Sequence, residues 1–434
     1  MKVPASIEIV EYGSPVPAVT ELANIAGVEL GAAEKIIREA GERVRRLHGL
    51  KNNPIEITDR GVIAAGIAGV ISLTSDVDLE IRPKYAASGV AWREDLLFLS
   101  LFTTYGYLDP LRSISASVSS QNTLADLAAR ALIGMIGENR RTPLRIRSRL
   151  TFESFEISTE VDPDDLLNPG EDGWRQVSYA MNPDNEFAAT IVAGAAALSP
   201  LMRDEAIRAT LAMIVARFGK IRVQPSGRHR QLPPRLSKWQ KAYDFAFQLA
   251  RNRSLSPRSG TLGTFGFTLD TWRTWESLIE RSLILALGAS NVDLQRPFKL
   301  GTSTRPGRPS LVIDVYPDAI INRDSVPLIF DAKYKGRSDR GFEGVSPSDR
   351  YEAMAFMHAT SSTHATLIYP NTGESRACGS TALLETVELP TGTVKGTSIE
   401  INGISEFGGL SRFAHGLKGL VDVPQCLTGA IEVL

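Results

Sequence analysis

The sequence predicts a chain of three parts: an α+β N-terminal module at 1–115, a mainly helical middle at 116–258, and an α/β C-terminal domain at 259–434. The 434 residues exceed the size of one ordinary domain. In the middle, apolar residues recur at helical spacing, and after it the signals run helix, hairpin, helix, strand. The second pattern is typical of a mixed sheet flanked by helices.

In the N-terminal module, apolar residues at helical spacing predict a helix from Val28 to Leu50. Short strand signals follow it, separated by Asp, Gly and Ser. In the last of these signals Val77, Leu79 and Ile81 alternate with charged residues, which predicts a strand buried on one face only.

Amphipathic patterns predict further helices in and just before the middle segment. They cover Ala91–Tyr107, Thr123–Asn139, Asn185–Leu198 and Arg203–Phe218. From Lys220 to Arg258 the charged residues are basic, with Asp244 as the one acid. Such a run has the charge of a surface that contacts phosphates.

The candidate DNA-binding residues are basic side chains of this run and of the C-terminal domain. They are Arg228, Arg230, Arg235, Lys238 and Lys335. Trp239 and Tyr243 are interleaved with the basic residues of the run. A solvated helix face that docks against acidic neighbours explains the same charge equally well.

Composition argues against several classes of protein. A formal net charge of -1 argues against a protein that coats nucleic acid by bulk charge. Cys378 and Cys426 form no C-x-x-C pair, so neither a disulfide scaffold nor a zinc ribbon is predicted. The start has no signal-peptide core, and the apolar run at 61–73 is shorter than the ~20 residues of a membrane helix. We expect a soluble, cytoplasmic protein that does not contact membranes.

The C-terminal domain begins with a predicted helix from Leu269 to Leu287, with Asp270 as its N-cap. Two apolar strands follow, Leu311–Ile321 and Val326–Tyr334, joined by a short polar turn. A helix at Ser348–Ala359 and a buried strand at Ala365–Tyr369 complete the pattern.

The two strands of this hairpin carry charged residues that could form a catalytic site. Side chains alternate along a strand, so Asp331 and Lys333 share a face. If the hairpin pairs in the register that its short turn favours, Asp318 lies beside Asp331. Two carboxylates and an ammonium are costly on an apolar sheet unless they bind something.

Phosphodiester hydrolysis is the chemistry that suits these residues. The carboxylates of Asp318 and Asp331, with the Ala332 carbonyl, are oxygen ligands suited to Mg2+ or Mn2+. Such a metal polarises a phosphodiester and lowers the pKa of a bound water. Lys333 could orient that water or neutralise the charge that develops on the phosphate.

Two further acids are candidate catalytic residues, Glu276 on the preceding helix and Glu352 on the following one. A D-x-K triplet alone is usually an ordinary strand end, and Pro-Asp is an ordinary turn dipeptide. The prediction therefore depends on the combination of apolar strands, a tight turn and flanking acids.

These motifs resemble McrC, the nuclease subunit of McrBC-type restriction systems and a PD-(D/E)XK protein. The segments that carry the resemblance are Phe265–Asp270, Trp275–Glu276, Tyr316–Asp318, Val326–Lys335, Asp349–Phe356 and Leu367–Pro370. The stretch from Gly69 to Lys84 is similar to the N-terminal module of many McrC proteins. The resemblance is strong from Gly266 to Pro370 and weaker upstream.

The resemblance implies a restriction-endonuclease-like fold for the C-terminal domain. It also implies metal-binding and catalytic roles for Asp318, Asp331, Lys333 and, on the preceding helix, Glu276. Related proteins carry Gln and Tyr where this chain has Glu352 and Phe356. Glu352 keeps an oxygen that could reach the metal, whereas Phe356 lacks the hydroxyl of the Tyr.

The resemblance further implies a partner, an McrB-like hexameric AAA+ ring that hydrolyses GTP or ATP, into which the N-terminal part inserts and whose hydrolysis it stimulates. The chain has no G-x-x-x-x-G-K-[ST] loop, so no nucleotide-binding residues are predicted and the motor is another polypeptide. The expected function is Mg2+-dependent cleavage of double-stranded DNA in a restriction or anti-phage complex. Two alternatives stay open, a stand-alone nuclease of the same class and an activator of an NTPase ring with a vestigial nuclease site.

Overall fold

The computed structural model describes residues 5–74, 76–86, 92–105, 124–161, 166–167, 169–202, 204–252, 267–323, 326–334 and 344–422. The chain forms two compact units. The split unit consists of residues 1–124 and 255–434, and the middle unit of residues 125–254. Both units combine helices with β-sheets, and no described helix has the length and apolar composition to cross a bilayer.

The bounds of the described elements are as follows. The helices are α1 (Ala18–Ala26), α2 (Leu30–His48), α3 (Trp92–Tyr105), α4 (Leu124–Glu138), α5 (Glu186–Leu198), α6 (Glu205–Phe218), α7 (Gln240–Asn252), α8 (Thr271–Leu287), α9 (Pro347–Thr360) and α10 (Gly409–Asp422). The strands before the middle unit and within it are β1 (Ala5–Val10), β2 (Ile55–Thr58), β3 (Gly61–Ala64), β4 (Ile67–Ser72), β5 (Val77–Arg82), β6 (Ile146–Ser154), β7 (Glu160–Val161) and β8 (Trp174–Asn182). The remaining strands are β9 (Phe267–Asp270), β10 (Val292–Leu294), β11 (Phe298–Ser303), β12 (Leu311–Val315), β13 (Ala319–Arg323), β14 (Val326–Ala332), β15 (His364–Pro370), β16 (Thr381–Leu389) and β17 (Gly392–Ile399).

The first sheet of the split unit has the strand order β1-β5-β4-β9. Helix α2 packs on it through buried residues such as Ile37 and Val44, and the helix predicted at 28–50 is confirmed. Strand β5 lies between β1 and β4, and its acidic residues Asp78 and Glu80 are buried as well. The prediction of a strand buried on one face was therefore wrong. Alternation does not show that other elements cover the polar face, where Ser72 donates a hydrogen bond to Asp78.

The second sheet of the split unit has the order β10-β13-β14-β15-β17-β16 and is mixed. Strands β14, β15 and β17 are parallel, and the other pairings are antiparallel. Helix α9 covers one face, where Phe356 and Met357 pack against Ile329 and Leu367. On the other face, Phe330 lines a cavity together with residues of α10. The predicted mixed sheet flanked by helices is thus present.

The parts of the sequence before and after the middle unit meet in the first sheet. Strand β9 pairs with β4 in antiparallel register, with Thr268 opposite Gly69. The backbone N–H of Thr271 then donates to the carbonyl of Gly66, at 3.2 Å, where α8 begins. The sequence assigns 1–115 and 259–434 to different domains, whereas in the structure they share one compact unit because β9 completes the N-terminal sheet.

The middle unit combines helices α4 to α7 with the three-stranded sheet β6-β8-β7. The prediction of a mainly helical middle missed this sheet, because its strands are polar and have no apolar run. Gln176 of β8 is fully buried and accepts hydrogen bonds from the backbone N–H groups of Ser158 and Thr159. Gly194 lets α5 approach α7 closely, since a Cβ there would lie 2.9 Å from Ala246.

The shared sheet predicts that residues 255–434 do not fold alone. Without residues 1–124, β9 loses its pairing with β4, and the first sheet loses its other strands. We expect the isolated C-terminal fragment to show no cooperative thermal unfolding by circular dichroism. Mixing it with a separately produced 1–124 fragment should restore the transition, whereas a cooperative transition in the fragment alone would contradict the shared unit.

Candidate active site

The predicted strand at 311–321 is interrupted in the structure, so this prediction was wrong in its extent. Strand β12 ends at Val315 and pairs with β11, whereas β13 begins at Ala319 and pairs with β14. Pro317 lies between them and has no backbone N–H with which to continue a ladder. The break places Asp318 at the entry to β13.

Strands β13 and β14 bring Asp318 and Asp331 together. Ala319 pairs with Phe330, so Asp318 precedes β13 at the level of Asp331. The backbone N–H of Ala332 donates to Asp318 Oδ2 at 2.8 Å. The juxtaposition that the sequence predicts for these two carboxylates is present.

Lys333 links the two strands to α9. Its Nζ lies 2.5 Å from Asp331 Oδ2 and 2.7 Å from Glu352 Oε2. Asp331 is only 2% exposed, whereas the side chain of Glu352 is half-exposed. The backbone N–H of Lys333 donates to the carbonyl of Ile368 at 2.8 Å, which extends the contact between β14 and β15. Asp318, Asp331 and Lys333 therefore meet at the end of β14, and Glu352 contacts Lys333 from α9.

Helix α8 supplies the acid that the sequence predicts and one that it missed. Asp270 caps the helix by accepting from the N–H of Arg273, as predicted. The buried Trp275 donates through Nε1 to the carbonyl of Ile368 and fixes α8 against β15. Glu276 is the next residue, and Glu280 lies one turn further along the helix. Both carboxylates accept a hydrogen bond from the Gln295 side chain. The spacing of four residues could have revealed Glu280.

Gln295 is a site residue that sequence reasoning missed altogether. Its Nε2 donates to Glu276 Oε1 at 2.7 Å and lies 3.1 Å from both Glu280 Oε1 and Asp318 Oδ1. Its backbone N–H donates to the carbonyl of Asp318, and its φ is 47°, a left-handed conformation uncommon for a residue other than glycine. No motif marks it, because only the folded loop brings it to the acids.

Burial and mutual repulsion raise the pKa values of the acids. Burial raises the pKa of Asp331, and Asp318 raises it further, against the opposite effect of Lys333. Burial likewise raises the pKa of Asp318, with a contribution from Glu276. The pKa of Glu276 is raised by burial and then by Glu280. A bound cation would stabilise the ionised forms of these acids, so the site favours binding of a cation.

The Lys333 ammonium stays protonated in this environment. Burial lowers its pKa, but the carboxylates of Asp331 and Glu352 together raise it above the ordinary value. In the residues that the structure describes, no three His, Cys, Asp or Glu side chains have the arrangement of a metal site. Lys333 and Gln295 contact the carboxylates instead.

The remaining predicted residues lie apart from this cluster or have other contacts. Phe356 lies on the buried face of α9 and packs in the core, so its side chain does not face solvent. In the middle unit Trp239 and Tyr243 are also buried, which excludes them as exposed stacking residues. Lys335 lies outside the described residues.

The other predicted DNA-binding residues are on the surface of the middle unit. Arg228 and Lys238 are exposed. Arg230 pairs with Glu186 at 3.0 Å, and Arg235 donates to the carbonyl of Arg145. Their role in DNA binding stays a prediction.

Comparison with known proteins agrees with the motifs. Residues 181–370 match the model of a family described as McrBC 5-methylcytosine restriction system component. Over this segment, which is less than half of the 434 residues, the chain is similar to that family. The matched segment contains every predicted catalytic residue and ends with the last residue of β15. The resemblance drawn from the motifs is confirmed.

Two solved structures are similar to this chain, and the first has the same fold. One is the Thermococcus gammatolerans assembly described as McrB AAA+ hexamers with bound McrC, with a TM-score of 0.63 and 12% identity. That match covers 96% of this chain and 100% of the other. The Thermococcus gammatolerans McrBC complex matches at a TM-score of 0.43 and 14% identity, over 65% of this chain and 88% of the other. No curated protein matches the chain.

The raised pKa of Glu276 predicts a pH-dependent effect of its replacement by Gln in the metal-free protein. A raised pKa means that Glu276 stabilises the fold below its unfolded-state pKa, and that this contribution is lost as pH rises through the folded-state pKa. Glu276→Gln should therefore increase the free energy of unfolding more at pH 8 than at pH 5. The gain should be at most about 1 kcal/mol, because the side chain is only half-buried.

Urea unfolding in the presence of a chelator at both pH values measures this effect. Glu21→Gln, on the exposed surface of α1, is the control for loss of one carboxylate. If Glu276→Gln destabilises the protein at pH 8, the ionised Glu276 carboxylate stabilises the fold, and its pKa is not raised as expected.

Proposed function

We propose that this McrC-like protein is the DNA-cleaving subunit of a restriction or anti-phage complex, and that it hydrolyses phosphodiester bonds of double-stranded DNA with Mg2+. The observation that carries the proposal is the convergence of Asp318, Asp331 and Lys333 at the end of β14. A carboxylate as buried as Asp331 costs free energy unless partners or a ligand compensate it. A cation and a phosphate would compensate the whole group.

The donor set suits a hard divalent cation. Asp318 and Asp331, with the Ala332 carbonyl, would hold Mg2+ or Mn2+. Burial, with a smaller contribution from neighbouring carboxylates, raises the pKa values of both acids, and a bound cation would offset this. When bound, the metal supplies Lewis-acid polarisation of the scissile phosphate and a more acidic bound water. With the metal bound to the carboxylates, Gln295 and Lys333 would lose part of their present contacts with Asp318 and Asp331 and would contact other groups instead.

The other side chains then have distinct roles. The Lys333 ammonium, held between Asp331 and Glu352, can stabilise the negative charge that develops on the phosphate oxygens. Glu276 can accept a proton at its carboxylate, because its raised pKa makes it a stronger base than an ordinary carboxylate. Glu352 orients the ammonium from α9.

The proposed partner is an McrB-like AAA+ ring that hydrolyses GTP or ATP. The Thermococcus gammatolerans assembly contains McrB hexamers with bound McrC. This chain has no G-x-x-x-x-G-K-[ST] loop, so movement along DNA would need the nucleotide hydrolysis of another polypeptide. The chain would stimulate that hydrolysis and cut the DNA that the ring delivers.

The exposed apolar residues of the middle unit mark a candidate surface for the ring. Those on or next to its sheet include Phe155, Ile157, Leu167, Tyr179 and Met181. The largest exposure is that of Leu167, at 88%. Exposed apolar clusters are typical of protein interaction sites. We therefore place the ring contact on this sheet.

The resemblance places the ring contact in the N-terminal part instead. Among the described N-terminal residues the large exposed apolar side chains are Ile25 and Leu30, at the adjacent ends of α1 and α2. They are fewer than those of the middle unit. The N-terminal contact stays a prediction that the same binding experiment tests.

Loss of the Asp331 carboxylate or of the Lys333 ammonium should abolish DNA cleavage. Asp331→Ala and Lys333→Ala should each reduce the cleavage rate by at least about 100-fold, because metal binding or charge stabilisation is lost. The assay uses purified protein, Mg2+, double-stranded DNA and the ring NTPase with its nucleotide. Asp59→Ala and Lys418→Ala, which remove exposed charges of the same types, should cut at the wild-type rate.

The same assay separates the alternatives. Cutting by the wild type without ring or nucleotide would indicate a stand-alone nuclease. Stimulated NTP hydrolysis that is equal in wild type and Asp331→Ala, with no cutting under any condition, would indicate an activator with a vestigial nuclease site.

Removal of the exposed apolar groups should weaken binding to the ring. Phe155→Ser and Leu167→Ser should each raise the dissociation constant by about 10-fold or more, since buried apolar anchors contribute most of the binding energy of an interface. Binding is measured by calorimetry with the nucleotide-bound ring. Met213→Ser, an exposed apolar residue of α6 outside the sheet, is the matched control. A loss of binding with Leu30→Ser, and none with the sheet variants, would move the contact to the N-terminal part.

A further inference from the structure

We propose that a network of the buried Glu11 and Tyr334 and the partly buried Lys84 positions Lys333, so that the N-terminal stretch is part of the nuclease site. This inference rests on the function proposed above. Its basis is a set of contacts that Glu11 and Lys84, from the N-terminal part of the chain, make with Tyr334, the residue that follows Lys333.

Glu11 directly follows β1 and is 1% exposed. Its Oε2 accepts a hydrogen bond from the Tyr334 hydroxyl at 2.5 Å, and its Oε1 accepts one from the Thr271 hydroxyl at 2.5 Å. The backbone N–H of Lys84 donates to the same carboxylate at 3.4 Å. One buried carboxylate therefore joins the N-terminal sheet to α8 and to the end of β14.

Lys84 holds the same tyrosine at two other points. Its Nζ donates to the carbonyl of Tyr334 and lies 4.5 Å from the centre of the Tyr334 ring. Tyr334 is thus held by its hydroxyl, its ring face and its carbonyl. Contacts to so many parts of one residue leave its backbone little freedom.

The backbone of Lys333 is fixed on both sides as a result. On one side its own N–H is bound to the carbonyl of Ile368, and on the other side Tyr334 is held by the network. The ammonium of Lys333 must reach between Asp331 and Glu352, which lie on different elements. A reacting group needs this kind of support, because a displacement of about 1 Å can cost about 100-fold in rate.

Stability alone does not account for charged groups in this place. The buried carboxylate of Glu11 and the partly buried ammonium of Lys84 lose hydration, and apolar side chains of similar volume are often at least as stabilising. Asp95 offers a comparison, since it is a buried carboxylate that also joins the two ends of the chain. Its hydrogen bonds go to Gly403 and Ser405 and not to the segment that carries Lys333.

Two measurements on the full chain test the inference. The first is the rate at which an N-hydroxysuccinimide ester acetylates Lys333, mapped by mass spectrometry without DNA, metal or ring. The second is single-turnover DNA cleavage with the ring, nucleotide and Mg2+, normalised to the folded fraction. The variants are Glu11→Gln, Lys84→Met and Tyr334→Phe, with Asp95→Asn as the matched control. Tyr334→Phe removes only a hydroxyl, so it tests the network even if a charge variant fails to fold.

We expect severalfold faster acetylation of Lys333 in the three network variants, and a cleavage rate that falls about 10-fold with unchanged apparent affinity for DNA. Lys84→Arg should recover part of the rate, because it restores a cation at this position. Asp95→Asn should lower the melting temperature but change neither readout. Wild-type acetylation and cleavage per folded molecule in all three variants would overturn the inference. If the wild type does not cut DNA at all, the proposed function is wrong, while the acetylation rates still decide whether the network positions Lys333.

Discussion

The contact between the buried Asp331 carboxylate and the Lys333 ammonium is the interaction on which the arrangement of the site depends. Both charges lie largely out of water, so each needs the other, and loss of one would leave the other without compensation. Asp318 and Glu352 lie near this pair from the adjacent strand and from α9. Among the described residues the acids of the site outnumber its one ammonium, that of Lys333, and this imbalance suits the site to a cation.

That contact is possible only because the second sheet is buried on both faces at β14. Ile329 faces the core under α9, and Phe330 faces the cavity next to α10, so the strand leads into the site from an apolar interior. Trp275 fixes α8 to β15 and thereby sets the position of Glu276. The same packing that stabilises the fold thus limits the freedom of the reacting groups.

The split unit contains all residues of the candidate site. The chain leaves this unit at the start of α4 and returns to it before β9, whose pairing with β4 completes the first sheet. The site therefore requires residues that are far apart in sequence, including Glu11 and Tyr334. The middle unit contains none of these site residues, and it exposes Phe155, Leu167 and Tyr179 on or next to its sheet.

The sequence by itself determined the elements around the site and the residues at its centre. Alternation along an apolar strand placed Asp331 and Lys333 on one face, and a short turn set the register that brings Asp318 beside them. These are local properties, which a single sequence displays. The N-cap at Asp270 and the helix at 28–50 were predictable for the same reason.

Tertiary structure alone decided the rest, because it depends on contacts between distant parts of the chain. Gln295 reaches three acids only through the folded loop, and Tyr334 meets Glu11 only because both ends of the chain share a unit. The polar face of β5 looks solvent-exposed in the sequence but is covered in the fold. Periodicity reports which side of an element is apolar, whereas only the assembled structure determines what covers its polar side.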